Sequence, residues 1–279
     1  MTSILYDIPG PRARRRTLIG SIFGGVLIAA VITLIVVRLE DSGQFRSEFW
    51  EPFTDSGIQR GLLRALGATL KAAGISMVFA LLLGSLLAVG RLSERAPMRW
   101  LATGVIEFFR AMPLVLLIFF ARFGLPELGV DVDVLWYLVI GLSLYNGAVL
   151  AEILRAGIQS VARGQSEAAY AIGLRKSQVM RIVLLPQAIR TMLPTLVSQL
   201  VVLNKDTALG YIIAYPELLR RGKLIADNFG NIIPMAIVVG SVYILINLGL
   251  STLASYLEGR QRRRGLPAPI DDIGLKEAA

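Results

Sequence analysis

The strongest constraint on this chain is a series of apolar segments, each long enough to cross a lipid bilayer. The first, residues 17–37, has no charged side chain. A helix needs about 20 apolar residues to cross the hydrocarbon core, where the backbone must satisfy its own hydrogen bonds. The whole chain is 54% hydrophobic with a mean hydropathy of +0.63, which is too apolar for a soluble domain of 279 residues. These features predict an all-α integral membrane protein.

Six such segments alternate with charged connections. They are residues 17–37, 65–90, 101–123, 134–157, 193–213 and 232–256. Arginine clusters precede the first span and follow the second, fourth and sixth. The positive-inside bias therefore predicts six transmembrane helices with both termini in the cytoplasm. Pro113 is expected to kink the third span. The connection 216–231 is predicted outside, although Arg220, Arg221 and Lys223 oppose the bias.

The amino-acid composition excludes several kinds of chemistry. The chain has no cysteine and no histidine, so disulfides, thiolate metal sites and histidine acid–base catalysis are excluded. We expect no metal site and no cofactor. The net charge of +9 is not spread over a face interleaved with aromatic residues, which argues against nucleic-acid binding. Because the sequence has no Walker A pattern, the chain is not expected to be an enzyme, and any ATP hydrolysis requires a partner.

A polar segment between the fourth and fifth spans, residues 166–186, has the pattern of a docking element. Its sequence is SEAAYAIGLRKSQVMRIVLLP. Glu167, Ala168 and Ala169 are predicted to open a helix. Gly173 is in the position of a C-cap, where a left-handed conformation ends the helix. The small side chains keep this helix slim, so a groove on another protein could close on it.

The second half of this segment belongs to a longer pattern. Ser177 is predicted to N-cap a second helix that stops at Pro186. Three other segments carry matching motifs: IEFFRAMPL at 106–114, AEILRAG at 151–157 and NKDTAL at 204–209. Together these motifs resemble the permease subunits of ATP-driven (ABC) importers of the polar-amino-acid branch, whose cytoplasmic coupling loop has this register. The resemblance covers roughly residues 60–258.

The resemblance implies a type I importer permease fold of five helices, to which helix 17–37 is an addition. Two positions depart mildly from the family pattern: Val183 stands where isoleucine is usual, and Ala208 stands where serine is common. The implied domains are a cytoplasmic basic N-tail with the extra helix and an outer loop at 1–59, the permease domain at 60–258 with a coupling loop at about 158–192, and a basic, loosely ordered cytoplasmic tail at 259–279.

The resemblance also implies a function and partners. The chain would form the translocation pathway for a polar amino acid, with glutamate or a related acidic amino acid or amide favoured. The implied partners are a cytoplasmic ABC ATPase dimer that uses the ATP, a second permease subunit, identical or homologous, and an extracytoplasmic substrate-binding protein. The residues expected to contact the ATPase are Glu167, Ala168, Ala169 and Gly173. The expected location is the lipid bilayer of the bacterial inner (plasma) membrane.

Two pairs of opposite charges lie near the cytoplasmic ends of predicted spans. Glu107 and Arg110 are three residues apart, and so are Glu152 and Arg155. On a helix this spacing lets the two side chains pair, which lowers the cost of leaving water. The pairs could anchor helix ends at the headgroups or brace the coupling loop. Alternatively, they could contact substrate.

The most polar run inside any predicted span is Asn204, Lys205, Asp206 and Thr207. Neighbouring residues on a helix point in different directions, so Lys205 and Asp206 cannot both avoid lipid unless the helix is enclosed or locally broken. We hypothesise that this run lines or gates the outer half of the pathway. The alternative is that it cross-links helices within one subunit or between two.

Two other functions are compatible with a six-span membrane protein. One is an ion-driven secondary amino-acid carrier or channel without an ATPase partner, which would use buried charges but would not need a docking loop. The other is a membrane scaffold without transport, which the paired charges inside the spans disfavour.

Overall fold

The fold is entirely helical in the part of the chain that the computed structural model describes, residues 10–265. No β-strand occurs among these residues, which confirms the all-α prediction. The α-helical segments in chain order are α1 Pro11–Asp41, α2 Ser56–Arg91, α3 Ala96–Ala111, α4 Leu114–Phe119, α5 Leu125–Glu127, α6 Val134–Gln159, α7 Arg163–Ala171, α8 Lys176–Gln178, α9 Leu185–Asp206, α10 Leu218–Phe229 and α11 Ile232–Gly265.

Each predicted span has a helical counterpart. Within residues 10–265, four helices are long and apolar enough to cross a membrane, namely α1, α2, α6 and α11. Helix α3 and the segment from α4 to α5 together form a fifth, bent span. The remaining predicted span corresponds to α9, a 22-residue helix that is not among these apolar spans because it carries more polar residues.

The centre of the fold is the contact between α2 and α6. The face of α2 that meets α6 consists of small residues, and Ala72 and Ala80 are completely buried there. Gly84 lies so close to α6 that a Cβ on it would be 2.8 Å from the carbonyl oxygen of Gly147. Small residues let two helix backbones approach closely, which is how helices associate where lipid supplies no hydrophobic driving force.

The third predicted span is broken rather than kinked at Pro113. Helix α3 ends at Ala111 and α4 begins at Leu114, after a bend of 99°. Met112 and Pro113 are extended, with ψ of 131° and 128°. Proline lacks an N–H group and also disfavours a helical conformation at the residue before it. Helix α3 therefore ends before Pro113, and α4 begins after it. The kink expected at Pro113 is therefore a complete break, and the span consists of two segments at a large angle.

The segment predicted as two separate short helices continues directly into the next span. Arg175, and not Ser177, is the residue before α8, and its N–H donates to the Gln178 side chain at 2.8 Å. A π-helical stretch, Val179–Leu184, then joins α8 to α9. Pro186 does not end the second helix but lies in the first turn of α9. A proline is tolerated in a first turn because its missing N–H costs no hydrogen bond there.

The fifth predicted span changes its helix type before it ends. Helix α9 stops at Asp206, and a 3₁₀ turn follows over Thr207–Ile213. Ala214 is left-handed with φ of 66°, which no other non-glycine residue in the described chain adopts. The predicted outer connection then contains the 12-residue helix α10 instead of an irregular loop. The residues that α10 buries are Leu218, Gly222, Ile225 and Ala226.

Both ends of the described chain are more helical than predicted. Helix α1 begins at Pro11, inside the predicted N-tail, and α11 continues to Gly265, inside the predicted loosely ordered tail. The rest of that tail, residues 266–279, and residues 1–9 lie outside the described residues. Helix α1 buries none of its residues, so it stands apart from the core of this subunit.

The connection between α1 and α2 is attached to the core, although α1 is not. The Asn231 side chain donates to the carbonyl oxygen of Phe49 at 3.0 Å. Phe53 packs against the buried cluster that contains Leu218 and Ile225. This connection therefore covers one end of the bundle, whereas α1 leads away from it.

We predict that α1 is dispensable for the fold and that the connection after it is not. A chain that starts at Ser42 should unfold at the same temperature as the full chain. A cleavable signal peptide in front of Ser42 would keep the new N-terminus outside the cytoplasm, where the connection after α1 is predicted to lie. A chain that starts at Ser56 loses the Phe53 packing, worth about 1.5–3 kcal/mol, and should unfold several degrees lower. Circular dichroism of the detergent-solubilised proteins measures this difference, and an equal loss in both deletions would contradict the prediction.

Candidate functional site

Helix α7 ends in a glycine C-cap, in the position that the sequence predicts. Gly173 has φ of +84°. Its N–H donates to the carbonyl oxygen of Tyr170 at 2.9 Å, and the N–H of Leu174 donates to that of Ala169 at 3.2 Å. These two bonds form a Schellman motif, which pairs carbonyl groups that a helix end otherwise leaves free. The turn is therefore held by backbone hydrogen bonds, and a Cβ on Gly173 would meet no atom within 4 Å.

Helix α7 presents only part of the Glu-Ala-Ala triplet to solvent. Glu167 and Ala168 are exposed, but Ala169 is 4% exposed and faces its own subunit. The prediction that Ala169 belongs to the contact surface is therefore corrected. Tyr170 and Ile172 are exposed at 49% and 78%. Large apolar side chains held in the open by a rigid turn are typical of a protein contact surface.

The turn after α7 is tied to the connection between α2 and α3. The Lys176 ammonium pairs with the Glu94 carboxylate across 82 residues of sequence. This hydrogen bond and the charge of Lys176 hold the pKa of Glu94 below its usual value. Both side chains are largely exposed, so water screens the pair and it adds little stability. It does show that the two connections meet at one end of the bundle, which we call the α7 end.

The predicted ion pairs are present near the α7 end. Glu107 and Arg110 are 3.7 Å apart on α3, and Glu152 and Arg155 are 3.0 Å apart on α6. Arg91, the last residue of α2, joins the two pairs. Its Nη1 lies 3.2 Å from Glu107 Oε1 and 3.1 Å from Glu152 Oε1. One guanidinium group therefore links α2, α3 and α6.

Sequence analysis did not place Arg91 in the site. No local spacing indicates its contacts, because Glu107 is 16 residues further along the chain and on another helix. The available signal was its position as the first charge after the long uncharged stretch of α2. The side chains of Arg91 and Glu152 are each 18% exposed, so this half of the network is the more buried. A cavity of about 500 Å³ opens beside it, lined in part by Arg110 and Tyr145.

The polar run at the end of α9 divides into a buried and an exposed part. Asn204 and Thr207 are 1% and 0% exposed. The Asn204 amide donates to Asn247 Oδ1 on α11 at 3.3 Å, and the Thr207 hydroxyl donates to the Asn204 carbonyl oxygen at 2.7 Å. Lys205 is exposed and Asp206 is partly buried. Of the two arrangements that the sequence allowed, an enclosed helix or a local break, the structure has a change of helix type, since α9 ends at Asp206 and a 3₁₀ turn follows.

A buried amide, Asn146, and a partly buried one, Gln199, were not selected by the sequence analysis and hold α9 from its other side. The Gln199 amide donates to Asn146 Oδ1 at 2.7 Å. Asn146 is completely buried on α6, and its own amide donates to the carbonyl oxygen of Leu142 at 3.0 Å. An amide inside an apolar span is a usable signal, because a buried polar group needs a partner. Helix α9 is thus hydrogen-bonded to α6 on one side and to α11 on the other.

These features define a class of protein. Apolar spans surround charged and amide groups inside the bundle, and a rigid, exposed helix and turn stand at one end, as expected for a membrane permease that works with a partner. A family described as binding-protein-dependent transport system inner membrane component matches residues 80–263, and the chain belongs to this family. It is therefore a permease subunit of an ABC importer and not an ion-driven carrier or channel.

Similar proteins agree with this assignment. The glutamate transport system permease protein GluD of Corynebacterium glutamicum is 41% identical over 231 residues, which cover 81% of this chain and 84% of the relative. The glutamate/aspartate import permease protein GltK of Escherichia coli is 38% identical over 207 residues, which cover 71% and 92%. A solved structure described as an amino acid ABC transporter with histidines matches with a TM-score of 0.69 and 30% identity, over 72% of this chain and 94% of that one. The predicted type I importer fold is confirmed.

We predict that Gly173→Val weakens ATP-driven uptake about fivefold. A β-branched residue at φ of +84° is strained by about 1 kcal/mol or more, which distorts the α7 turn. Gly173→Asn is the matched control, because asparagine tolerates the left-handed conformation. Uptake by the reconstituted complex and membrane abundance are measured together. Normal uptake by both variants would contradict a coupling role for α7.

We predict that Arg91→Gln destabilises the subunit by about 1–3 kcal/mol, because it leaves two carboxylates without their shared cation. Arg110→Gln removes a more exposed partner, at 42%, and should cost less. The double variant Arg91→Gln/Glu152→Gln should recover part of the loss, since it also removes the charge of Glu152, whose Oε1 loses its contact with Arg91. Thermal unfolding in detergent measures all three, and equal losses from Arg91→Gln and Arg110→Gln would argue against the network.

Proposed function

We propose that the chain forms the membrane pathway of an ATP-driven importer for a polar amino acid, with glutamate or a related acidic amino acid or amide as substrate. The observation that carries this proposal is the rigid α7 turn, exposed at one end of a bundle whose family depends on a binding protein. The names of two relatives, one for glutamate and one for glutamate/aspartate, support the substrate class.

The α7 end faces the cytoplasm in this proposal, and the protein resides in the bacterial inner membrane. Arg95 and Arg99 lie in and after the α2–α3 connection, and Arg163 opens α7, so basic residues gather at this end. Both chain termini then lie in the cytoplasm. The opposite end, which we call the outer end, carries the α1–α2 connection, α10 and the turn before α6.

A cytoplasmic ATPase dimer is the proposed partner at α7, and it uses the ATP, so the permease needs no cofactor of its own. Glu167, Ala168 and the exposed apolar residues after them form the surface that the ATPase grips. Helical structure continues without interruption from Lys176 to Asp206, through α8, the π-helical stretch and α9. A displacement of the α7 turn is therefore transmitted along this continuous helical stretch and reaches the polar run at its far end.

The driving force for this movement is a population shift. ATP binds preferentially to the closed ATPase dimer, so ATP binding favours the permease state that fits the closed dimer. The bundle responds as a two-state unit because its packed helices cannot deform continuously. A loop without fixed hydrogen bonds at Gly173 would absorb the displacement instead of transmitting it.

A second permease subunit, identical or homologous, completes the pathway. Lys205 is about 22 Å beyond Arg190, the previous charged residue of α9, which puts it in the outer half of a hydrocarbon core about 30 Å thick. A charge in lipid costs about 2.5–3.5 kcal/mol near the centre of a helix. The exposed Lys205 side chain therefore faces a water-filled path between subunits, and Asp206 beside it contributes to gating.

The function is tested by reconstituting the permease with its ATPase in liposomes, with ATP inside and the binding protein outside. We expect ATP-dependent uptake of radiolabelled glutamate, with competition by aspartate or glutamine stronger than by an apolar amino acid. A sodium or proton gradient alone should drive no uptake. Uptake that follows an ion gradient without ATP would refute the proposal.

Asp206→Asn is predicted to lower uptake about tenfold in an intact complex, because it keeps the shape of the side chain and removes its charge from the pathway. Asn247→Leu is the contrasting variant, because it breaks the Asn204 cross-link between α9 and α11 and should lower stability instead. Uptake, ATPase activity and complex assembly are measured for both. Normal uptake by Asp206→Asn would remove the run from the pathway, and failed assembly would favour the cross-linking role.

A further inference from the structure

Arginines from two elements, α2 and α10, meet at the outer end. Arg60 and Arg64 are exposed and one turn apart at the start of α2. Arg221 of α10 is also exposed and reaches over Gly61, where its Nη2 lies 3.0 Å from the place that a Cβ would take. Arg220 is its neighbour on α10 and is partly exposed. We call these four residues the arginine cluster: Arg60, Arg64, Arg220 and Arg221.

The hydrogen bonds of the arginine cluster within the described residues go to uncharged oxygens, from Arg60 to Ser56 and from Arg220 to the carbonyl oxygen of Ala214. Among the side chains that the structure describes, none of its members takes part in an ion pair. Acidic residues nearby have other partners: Asp55 caps α2, Glu217 caps α10 and Asp227 pairs with Lys223. Like charges at neighbouring helix positions repel each other. An anionic group from outside the subunit would remove this cost.

The cluster is held on a rigid base. Glu217 is completely buried, caps α10 and accepts a hydrogen bond from the Tyr243 hydroxyl of α11 at 3.0 Å. The N–H of Leu218 donates to Thr69 Oγ1 of α2 at 3.1 Å. Helix α10 is thereby attached to both α2 and α11. The arginines have a fixed spacing, which reduces the entropy that a partner must overcome on binding.

The cluster stands clear of the bilayer. Helix α2 has 36 residues, about 54 Å at 1.5 Å per residue, whereas the hydrocarbon core is about 30 Å thick. Lys71 is the sole charged residue between Arg64 and Arg91, and the distance from Lys71 to Arg91 is about 30 Å. Arg64 and Arg60 are then about 10 and 16 Å beyond the hydrocarbon edge, further than the roughly 5–7 Å that lipid headgroups occupy.

We propose that the arginine cluster is a docking surface for acidic side chains of the extracytoplasmic binding protein. The proposal rests on the proposed function, which puts this end outside the cell, and on the family's dependence on a binding protein. Guanidinium groups pair with carboxylates in a defined geometry, and complementary charge speeds association and fixes orientation. The arginines that oppose the positive-inside bias then have a physical reason to be there: the partner requires them.

The test compares two charge reversals in the complex reconstituted with its ATPase. Arg64→Glu/Arg221→Glu reverses two members of the cluster. Arg46→Glu is the control, because it reverses a charge at the same end on an exposed residue that already pairs with Glu48. The probe is the binding protein purified by its affinity for the amino acid that the wild-type complex imports. It is titrated outside the vesicles at about 20 mM and about 500 mM salt, where screening is weak and strong.

We expect the double variant to need about tenfold more binding protein for half-maximal uptake at low salt, and about twofold more at high salt. Maximal uptake should be unchanged, and Arg46→Glu should behave like the wild type. Maximal uptake also reports folding, because a misfolded variant would lose it at every concentration.

Three results would overturn the docking proposal. An unchanged half-saturating concentration in the double variant would show that the cluster does not bind the partner. A shift that vanishes in vesicles of phosphatidylcholine alone would assign the cluster to anionic lipid. A change confined to the amino-acid concentration, at saturating binding protein, would assign it to attraction of free substrate. Wild-type uptake that follows an ion gradient without ATP would instead refute the proposed function, so the two failures are distinguishable.

Discussion

Close packing of α2 against α6 is the contact on which the rest of the structure depends. A side chain on Gly84 would meet the backbone of Gly147, which cannot move aside, and the Ser143 hydroxyl donates to the Ser76 carbonyl oxygen at 3.3 Å across the same contact. Lipid does not drive apolar surfaces together, so dispersion between close backbones and such hydrogen bonds hold the pair. Helix α2 carries Arg91 at one end and two members of the arginine cluster, Arg60 and Arg64, at the other, so both sites share one rigid axis.

The irregular segments of the bundle contrast with the continuous helical stretch that leads from the α7 turn to the polar run of α9. The α-helices are interrupted at Pro113, after Asp206 and at the left-handed Ala214, where backbone groups leave the regular α-helical hydrogen-bonding pattern. Such breaks are tolerated inside a membrane only where protein or water satisfies the freed groups. The helical stretch from Lys176 to Asp206 is continuous, and the π-helical segment Val179–Leu184 and Pro194 lie within it. The structure thus combines a continuous helical stretch, which can transmit a displacement, with interrupted helices, whose backbone conformation can change in response.

Arg91 explains why the charge network could be predicted only in part. The pairs Glu107–Arg110 and Glu152–Arg155 are local, because helix geometry alone brings residues three apart onto one face. The contacts of Arg91 join residues of three helices, and they exist only because those helices pack together. No spacing within one helix carries that information. The same reason hid the hydrogen bond between Gln199 and Asn146, which joins α9 to α6.

The sequence by itself determined the class of fold, the order of the spans and the turn at Gly173, because apolar length, charge bias and helix caps depend on neighbouring residues. Tertiary structure alone decided that Ala169 faces inward and that Pro186 continues a helix. It also decided that α10 forms and that Arg221 lies over Gly61. These outcomes depend on contacts between segments far apart in the chain. The free energies of these long-range contacts outweigh the conformational preferences of single residues, and no pattern of neighbouring residues shows them.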